Sequence, residues 1–182
     1  KKTDFDIIMQ MRRVIFADKV MVNMLEGATV EASILCEVLI NGEWIGVKIR
    51  PDVITKNCEV PDYKTTANMN PEKFGRDAHD RGYWLKQAFI GDVLAAAYKR
   101  PFKVGLLAQG KSAPYIHQLY WMTADQISIG REQYTYALTT YNKCNKSDSW
   151  PAYFDGATDL PTPDYLVRRY EFDEVEIKFE EE

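Results

Sequence analysis

Residues 50–66 read Arg50-Pro51-Asp52-Val53-Ile54-Thr55-Lys56-Asn57-Cys58-Glu59-Val60-Pro61-Asp62-Tyr63-Lys64-Thr65-Thr66. A strand over about Cys58–Thr65 follows the short turn Thr55-Lys56-Asn57. Side chains two apart on a strand share a face, so Asp62 and Lys64 project together. The turn folds this strand back beside the segment ending at Arg50-Pro51-Asp52, which brings Asp52 near Asp62. Paired carboxylates repel, and a divalent cation relieves the repulsion while gaining hard oxygen ligands. An adjacent ammonium can orient an attacking water or neutralise charge developing on a phosphate. Two acids, a cation and a lysine are the requirements of metal-assisted phosphodiester hydrolysis. Pro61 has no N–H to give a ladder, so a bulge or a sheet edge is expected there.

Upstream of this stretch, Thr29–Ile40 is rich in β-branched and apolar residues. It is followed by the hairpin signal Asn41-Gly42 and by Glu43–Arg50. With the strand at Cys58–Thr65, these segments predict a three-stranded antiparallel meander. Before them, Asp4 is placed to cap a helix carrying Phe5, Ile8, Met11 and Ile15, which closes at Leu25-Glu26-Gly27. Downstream, Asn70-Pro71-Glu72 opens a helix, bent at Gly82, that runs on to Pro101. Strands at Phe102–Gln109 and Tyr115–Met122 come next. Thr123 and Gln126 then form a capping box opening a further helix. Val175, Ile177 and Phe179 alternate with charges as a late edge strand would. The expected fold class is α/β (α+β), a mixed central sheet of about five strands flanked by helices in one domain over 1–182.

Composition bounds the function. The chain has 182 residues, 46% of them hydrophobic and 27% charged, enough to bury a core. No apolar run approaches the roughly 20 residues of a membrane span, and no secretory leader is visible. Cys36, Cys58 and Cys144 are odd in number and widely spaced, which excludes a disulfide framework or zinc site and suits a reducing cytoplasm. The net charge of −4 conceals an uneven distribution: residues 171–182 carry −6, leaving the body at +2. Affinity for DNA must therefore come from a local groove rather than from the global field. The aromatics are expected mostly in the core.

D-x-K alone arises by chance in roughly every second chain of this size. The longer pattern, R-P-D, nine residues, then D-x-K-T-T, a helix start and an aromatic helix, is more specific. It resembles the nuclease domain of RecE (exodeoxyribonuclease VIII) and its phage relatives, in the PD-(D/E)XK superfamily. The resemblance runs through Glu31-Ala32-Ser33, Gly46–Asp52, Asp62–Thr66, Phe74, Arg76, Tyr83, Ala88-Phe89, Gly130, Tyr134, Leu138, Cys144 and Trp150-Pro151. It implies a restriction-endonuclease-like core with Asp52, Asp62 and the Tyr63 carbonyl as ligands of Mg²⁺ or Mn²⁺. Lys64 would be the catalytic lysine, and Glu31 a contributor near the site. Thr65 and Thr66 would lie beside the scissile strand.

The resemblance implies a cytoplasmic exonuclease digesting double-stranded DNA ends 5′→3′, with a RecT-like annealing protein as partner. It also implies a ring-like homo-oligomer such as a tetramer. The alternatives on the same scaffold are a structure-specific or restriction-type endonuclease and a catalytically decayed binding module. Relatives carry Gln-x-x-x-Tyr in the helix after the D-x-K strand, where this chain has Lys86 and Ile90. Gln87 comes one residue late, and an offset of one turns a side chain about 100° around a helix. Lys86 and Gln87 are thus the candidate DNA contacts of that helix. His79 and His117 do not match the family's upstream metal-site histidine, so residues before Lys1 are expected.

Overall fold

A computed structural model describes residues 2–154 and 156–169. The chain forms two compact units, Lys1–Ser147 and Asp148–Glu182. All strands and long helices described lie in the first, and the short helix Asp164–Val167 in the second. The expected strand around Val175, Ile177 and Phe179 lies outside the described residues.

The first unit opens with two helices rather than one, α1 (Lys2–Ala17) and α2 (Lys19–Leu25). Asp18 breaks them apart, its carboxylate accepting from Val20 N–H at 2.8 Å as the cap of α2. Asp4 lies inside the first turn of α1, where it favours the helix dipole instead of capping it. Gly27 ends the pair with φ +62°, as expected of a left-handed closing residue.

Strands β1 (Thr29–Val30), β2 (Ile34–Ile40), β3 (Glu43–Ile49), β4 (Val53–Ile54) and β5 (Glu59–Thr66) follow. Asn41 and Gly42 both take positive φ, and the β2–β3 hairpin closes in the register Ile40↔Glu43. After helices α3 (Pro71–Asp80) and α4 (Tyr83–Tyr98), strands β6 (Lys103–Gly110) and β7 (His117–Trp121) lead to α5 (Ala124–Ser147). Asn70 caps α3 through the N–H groups of Glu72 and Lys73, and Thr123 and Gln126 bond each other's backbone at the start of α5.

The expected meander does not form. The hairpin stands, but β5 hydrogen-bonds in parallel to β6, with Asp62 opposite Leu106, and β7 runs antiparallel on the far side of β6. The strands expected in one sheet of about five are thus divided among this mixed three-stranded sheet and the β2–β3 and β1–β4 ladders. The cause is local. Thr55 N–H donates to Glu59 C=O at 2.9 Å, folding the chain back as expected. On that same edge of β5, however, Pro61 has no N–H, and the Tyr63 N–H is taken by the Asp52 side chain. Backbone pairing there stops, and the opposite edge of β5 takes β6. Pro61 is therefore at a sheet edge.

Helices cover both faces of the sheet. Leu107 packs with Ile15 and Met21 on the α1–α2 side. Its neighbours in the alternation, Leu106 and Ala108, pack with Phe74 and Ala78 of α3. Val60 and Val104 join Ile90, Val93 and Leu94 of α4, together with Ile49. Several aromatics expected inside are on the surface, among them Trp44, Tyr136 and Tyr153. No described helix is long and apolar enough to cross a membrane.

Candidate active site

Asp62 is the most buried charge on β5, 1% exposed. Such a carboxylate is costly without compensating positive charge, and two ammonium groups supply it. Lys86, in the first turn of α4, donates to Asp62 Oδ1 at 2.6 Å. Lys64, on the same face of β5, ion-pairs with Oδ2. Asp52 reaches the same place from the segment between β3 and β4. Its Oδ2 accepts the Tyr63 N–H at 2.9 Å and its Oδ1 is 3.9 Å from Lys86 Nζ. The fold-back reading of Asp52 and Asp62 thus holds although the strand pairing behind it differs.

The electrostatics follow from this crowding. Burial first, and then the charge of Asp62, push the Asp52 carboxyl above the usual carboxylate range, with Lys86 working against them. Burial opposes the Lys86 ammonium, yet its hydrogen bond to Asp62 and the charges of Asp62, Asp52 and Glu31 hold its pKa above the ordinary lysine value.

The donor set suits a hard divalent cation: two carboxylates and the Tyr63 carbonyl, which lies 3.2 Å from Lys64 Nζ. Among the described residues no cluster of three or more His, Cys, Asp or Glu could hold a metal. An ion here would thus keep several waters, the habit of Mg²⁺ rather than of a caged ion.

Other expected residues fare differently. Glu31 lies near the site, its N–H donating to Asp52 C=O at 3.1 Å, but its carboxylate is paired with Arg50 at 2.8 Å. Thr65 is exposed, whereas Thr66 is buried and its hydroxyl is bonded to Asn68 on both sides. Thr66 therefore shapes the turn and presents no hydroxyl to a substrate. Gln87 is fully buried, with neither amide atom hydrogen-bonded, so a DNA contact from it is corrected. His117 pairs with Asp18, and His79 with Asp80.

Two contributors escaped the sequence reading. The Tyr83 ring sits 5.0 Å from Lys64 Nζ, a cation–π contact fixing the ammonium. Its spacing of three from Lys86 places both on one helix face, which was the available signal. Gln109, fully buried opposite Thr65, accepts the Tyr63 hydroxyl at 2.6 Å and donates to the carbonyls of Met11 and Tyr115. It ties α1 to the strand that carries Asp62, and nothing in its sequence neighbourhood announces this.

A mixed sheet between helices, with an acid and a lysine two apart on an edge strand and a second acid bonded to the backbone between them, is the build of a PD-(D/E)XK domain. The family model described as a PDDEXK-like domain of unknown function (DUF3799) matches residues 1–160, and the chain belongs to that family. Among solved structures it resembles a protein from Eubacterium rectale described as a candidate exonuclease, with a TM-score of 0.70 and 11% identity. That likeness, which shows the fold, covers 91% of this chain and 65% of the other. SSO0001 aligns with a TM-score of 0.39 and 18% identity over 65% of this chain and 55% of its own. No curated protein matches the sequence.

Proposed function

We propose that the chain is a divalent-metal-dependent nuclease that hydrolyses DNA phosphodiesters. The observation that carries this is the joint hold on Asp52 and Asp62 by the Tyr63 N–H, Lys64 and Lys86. Asp52, Asp62 and the Tyr63 carbonyl would hold the cation, which when bound supplies Lewis-acid activation of water and of the phosphate. Lys64, steered by Tyr83, presents its ammonium to the attacking water and to charge developing on phosphorus. Hydrolysis on this plan leaves a 5′-phosphate.

In finer detail the proposed enzyme is an exonuclease on duplex ends, 5′→3′, using Mg²⁺ or Mn²⁺. Its proposed partner is a RecT-like annealing protein, in a ring-like homo-oligomer. The RecE-like motif order and the fold shared with the E. rectale protein support this reading. A second reading, favoured by the Lys86 ammonium seated on Asp62, is a non-catalytic DNA-binding module.

Linear and covalently closed DNA, each incubated with Mg²⁺ or Mn²⁺, test both readings. Loss of linear duplex with closed plasmid untouched is expected, and Asp62→Asn should abolish it. Nicking of the closed plasmid replaces the exonuclease with an endonuclease. Intact DNA in every arm selects the non-catalytic module.

A further inference from the structure

Beyond the carboxylate pair, past the C-terminal end of β5, lies a polar cavity of about 310 Å³. Its walls include Thr65, Asp77, Arg81, Tyr83 and Lys111. Arg81 comes from the C-terminal cap of α3, and Lys111 from the first position after β6, where its N–H donates to Thr66 C=O at 3.0 Å. Both side chains are exposed, and among the described residues neither has an ion-pair or hydrogen-bond partner. Among the described residues Arg81 makes no ion pair even with Asp77, four residues back in α3. Other cations of this unit are engaged, such as Arg131 with Asp92, Lys146 with Glu43 and Arg50 with Glu31. Exposed ones such as Lys48 stand alone among the described residues but line no such cavity.

Tyr83 is the wall shared with the site, since its ring contacts Lys64 while lining this cavity. The walls set a guanidinium, an ammonium and the Thr65 hydroxyl against a single carboxylate, that of Asp77, which pairs with neither cation among the described residues. Guanidinium and ammonium groups with a hydroxyl donor are the chemistry that binds phosphate. The body of the chain is near neutral, so such a local cluster is the kind of groove that must supply affinity for a polyanion.

We propose that this cavity binds a backbone phosphate of the nucleic acid next to the one being cut, with Arg81 and Lys111 as its ligands and Thr65 as a hydroxyl donor. The assignment rests on the nuclease reading and names residues outside the carboxylate site. The pocket positions the substrate strand and takes no part in bond breaking.

The test uses the full chain carrying Asp62→Asn, which blocks cleavage, and a short fluorescein-labelled duplex with Mg²⁺. Anisotropy titrations are run across a range of salt. Arg81→Gln and Lys111→Gln should each weaken binding by about three- to tenfold near ~0.1 M salt. Each should also lower the salt slope by about 1, equally for unrelated sequences. Lys48→Gln makes the same charge change on the exposed side of β3 and should leave the slope unchanged. Thermal melting of each variant separates loss of contact from loss of fold. Slopes equal to the parent's, or an equal effect from Lys48→Gln, overturn the pocket while the nuclease reading stands on cleavage by the unmutated chain. Absence of any DNA binding by the parent overturns both.

Discussion

Lys86 Nζ donates to Asp62 Oδ1 at 2.6 Å, so the first turn of α4 is pinned to the middle of β5. The same ammonium lies 3.9 Å from Asp52 Oδ1, and one lysine is thus shared by the two carboxylates. In this geometry a positive charge is already lodged where a divalent cation would be drawn. Lys86 and the ion must compete for Asp62, or Lys86 must swing away as the ion arrives.

Replacing that lysine therefore acts on metal binding first. Unit charges about 4 Å apart interact by about 1 kcal/mol even in water, and more at a partly buried site. Removing one from beside a dication should strengthen binding by about tenfold or more. Isothermal titration of Mn²⁺ into Lys86→Met should show tighter binding than into the parent, without DNA present. Equal or weaker affinity would show that Lys86 does not oppose the ion. In that event its role is confined to holding Asp62 in place.

Gln87 gives an opposite expectation to the one its motif position suggests. Both of its amide atoms are buried and unpaired, a desolvation penalty of about 1–3 kcal/mol with no return. Gln87→Leu should raise stability by about that amount in urea unfolding while metal binding is unchanged. A loss of stability, or of metal affinity, would mean the amide serves the site.

The contrast between Lys86 and Gln87 marks how far sequence reading reaches. Features governed by neighbours in the chain were legible: Asn41-Gly42 closes a hairpin, Asn70 and Thr123 cap helices, and the Thr55–Asn57 turn brings Asp52 to Asp62. Lys64 and Asp62 share a face because strand periodicity is fixed. The partner of β5 was not legible, since alternation of side chains reports which face is buried and not which strand lies alongside. The rotation of α4 was also hidden. It is set by contacts such as Ile90 and Leu94 against Val60 and Val104. That rotation turns Lys86 to the acids and Gln87 to the core. The role of Gln109 arises across elements far apart in the chain, where no local pattern could show it, and that of Tyr83 was signalled only by its spacing of three from Lys86.

Gly130 offers a test of how closely α4 and α5 approach. A Cβ there would lie 2.4 Å from the Trp84 carbonyl oxygen and 2.8 Å from Ala88 Cβ. Within a helix, glycine to alanine ordinarily gains about 1 kcal/mol. Here the obstacle is backbone, which cannot swing aside, and overpacking costs about 1–3 kcal/mol beyond that gain. Gly130→Ala should be net destabilising in denaturant unfolding. A stabilised variant would show that the helices sit further apart than described.

The clasp between those same helices makes stability depend on pH at both extremes. Asp92 of α4 receives Arg131 of α5 through two hydrogen bonds, at 2.6 and 2.8 Å, and the Tyr134 hydroxyl at 2.9 Å. The Arg131 hydrogen bonds hold the Asp92 carboxyl below its usual 3.8, against the effect of burial. A depressed carboxyl pKa contributes stability that is complete above the unfolded value and is lost as pH falls through the folded one. Tyr134 behaves in mirror image. Burial first, then its hydrogen bond to Asp92, push the phenol from 10.0 up to about 12. The unfolded chain ionises first, so this contribution is complete below pH 10 and is lost between 10 and about 12. Melting temperatures measured against pH should therefore fall less steeply on the acid side in Asp92→Asn. In Tyr134→Phe they should fall less steeply on the alkaline side. Alkaline limbs that superimpose for Tyr134→Phe and the parent would show that the phenol is not held by Asp92, and that Arg131 alone closes the clasp.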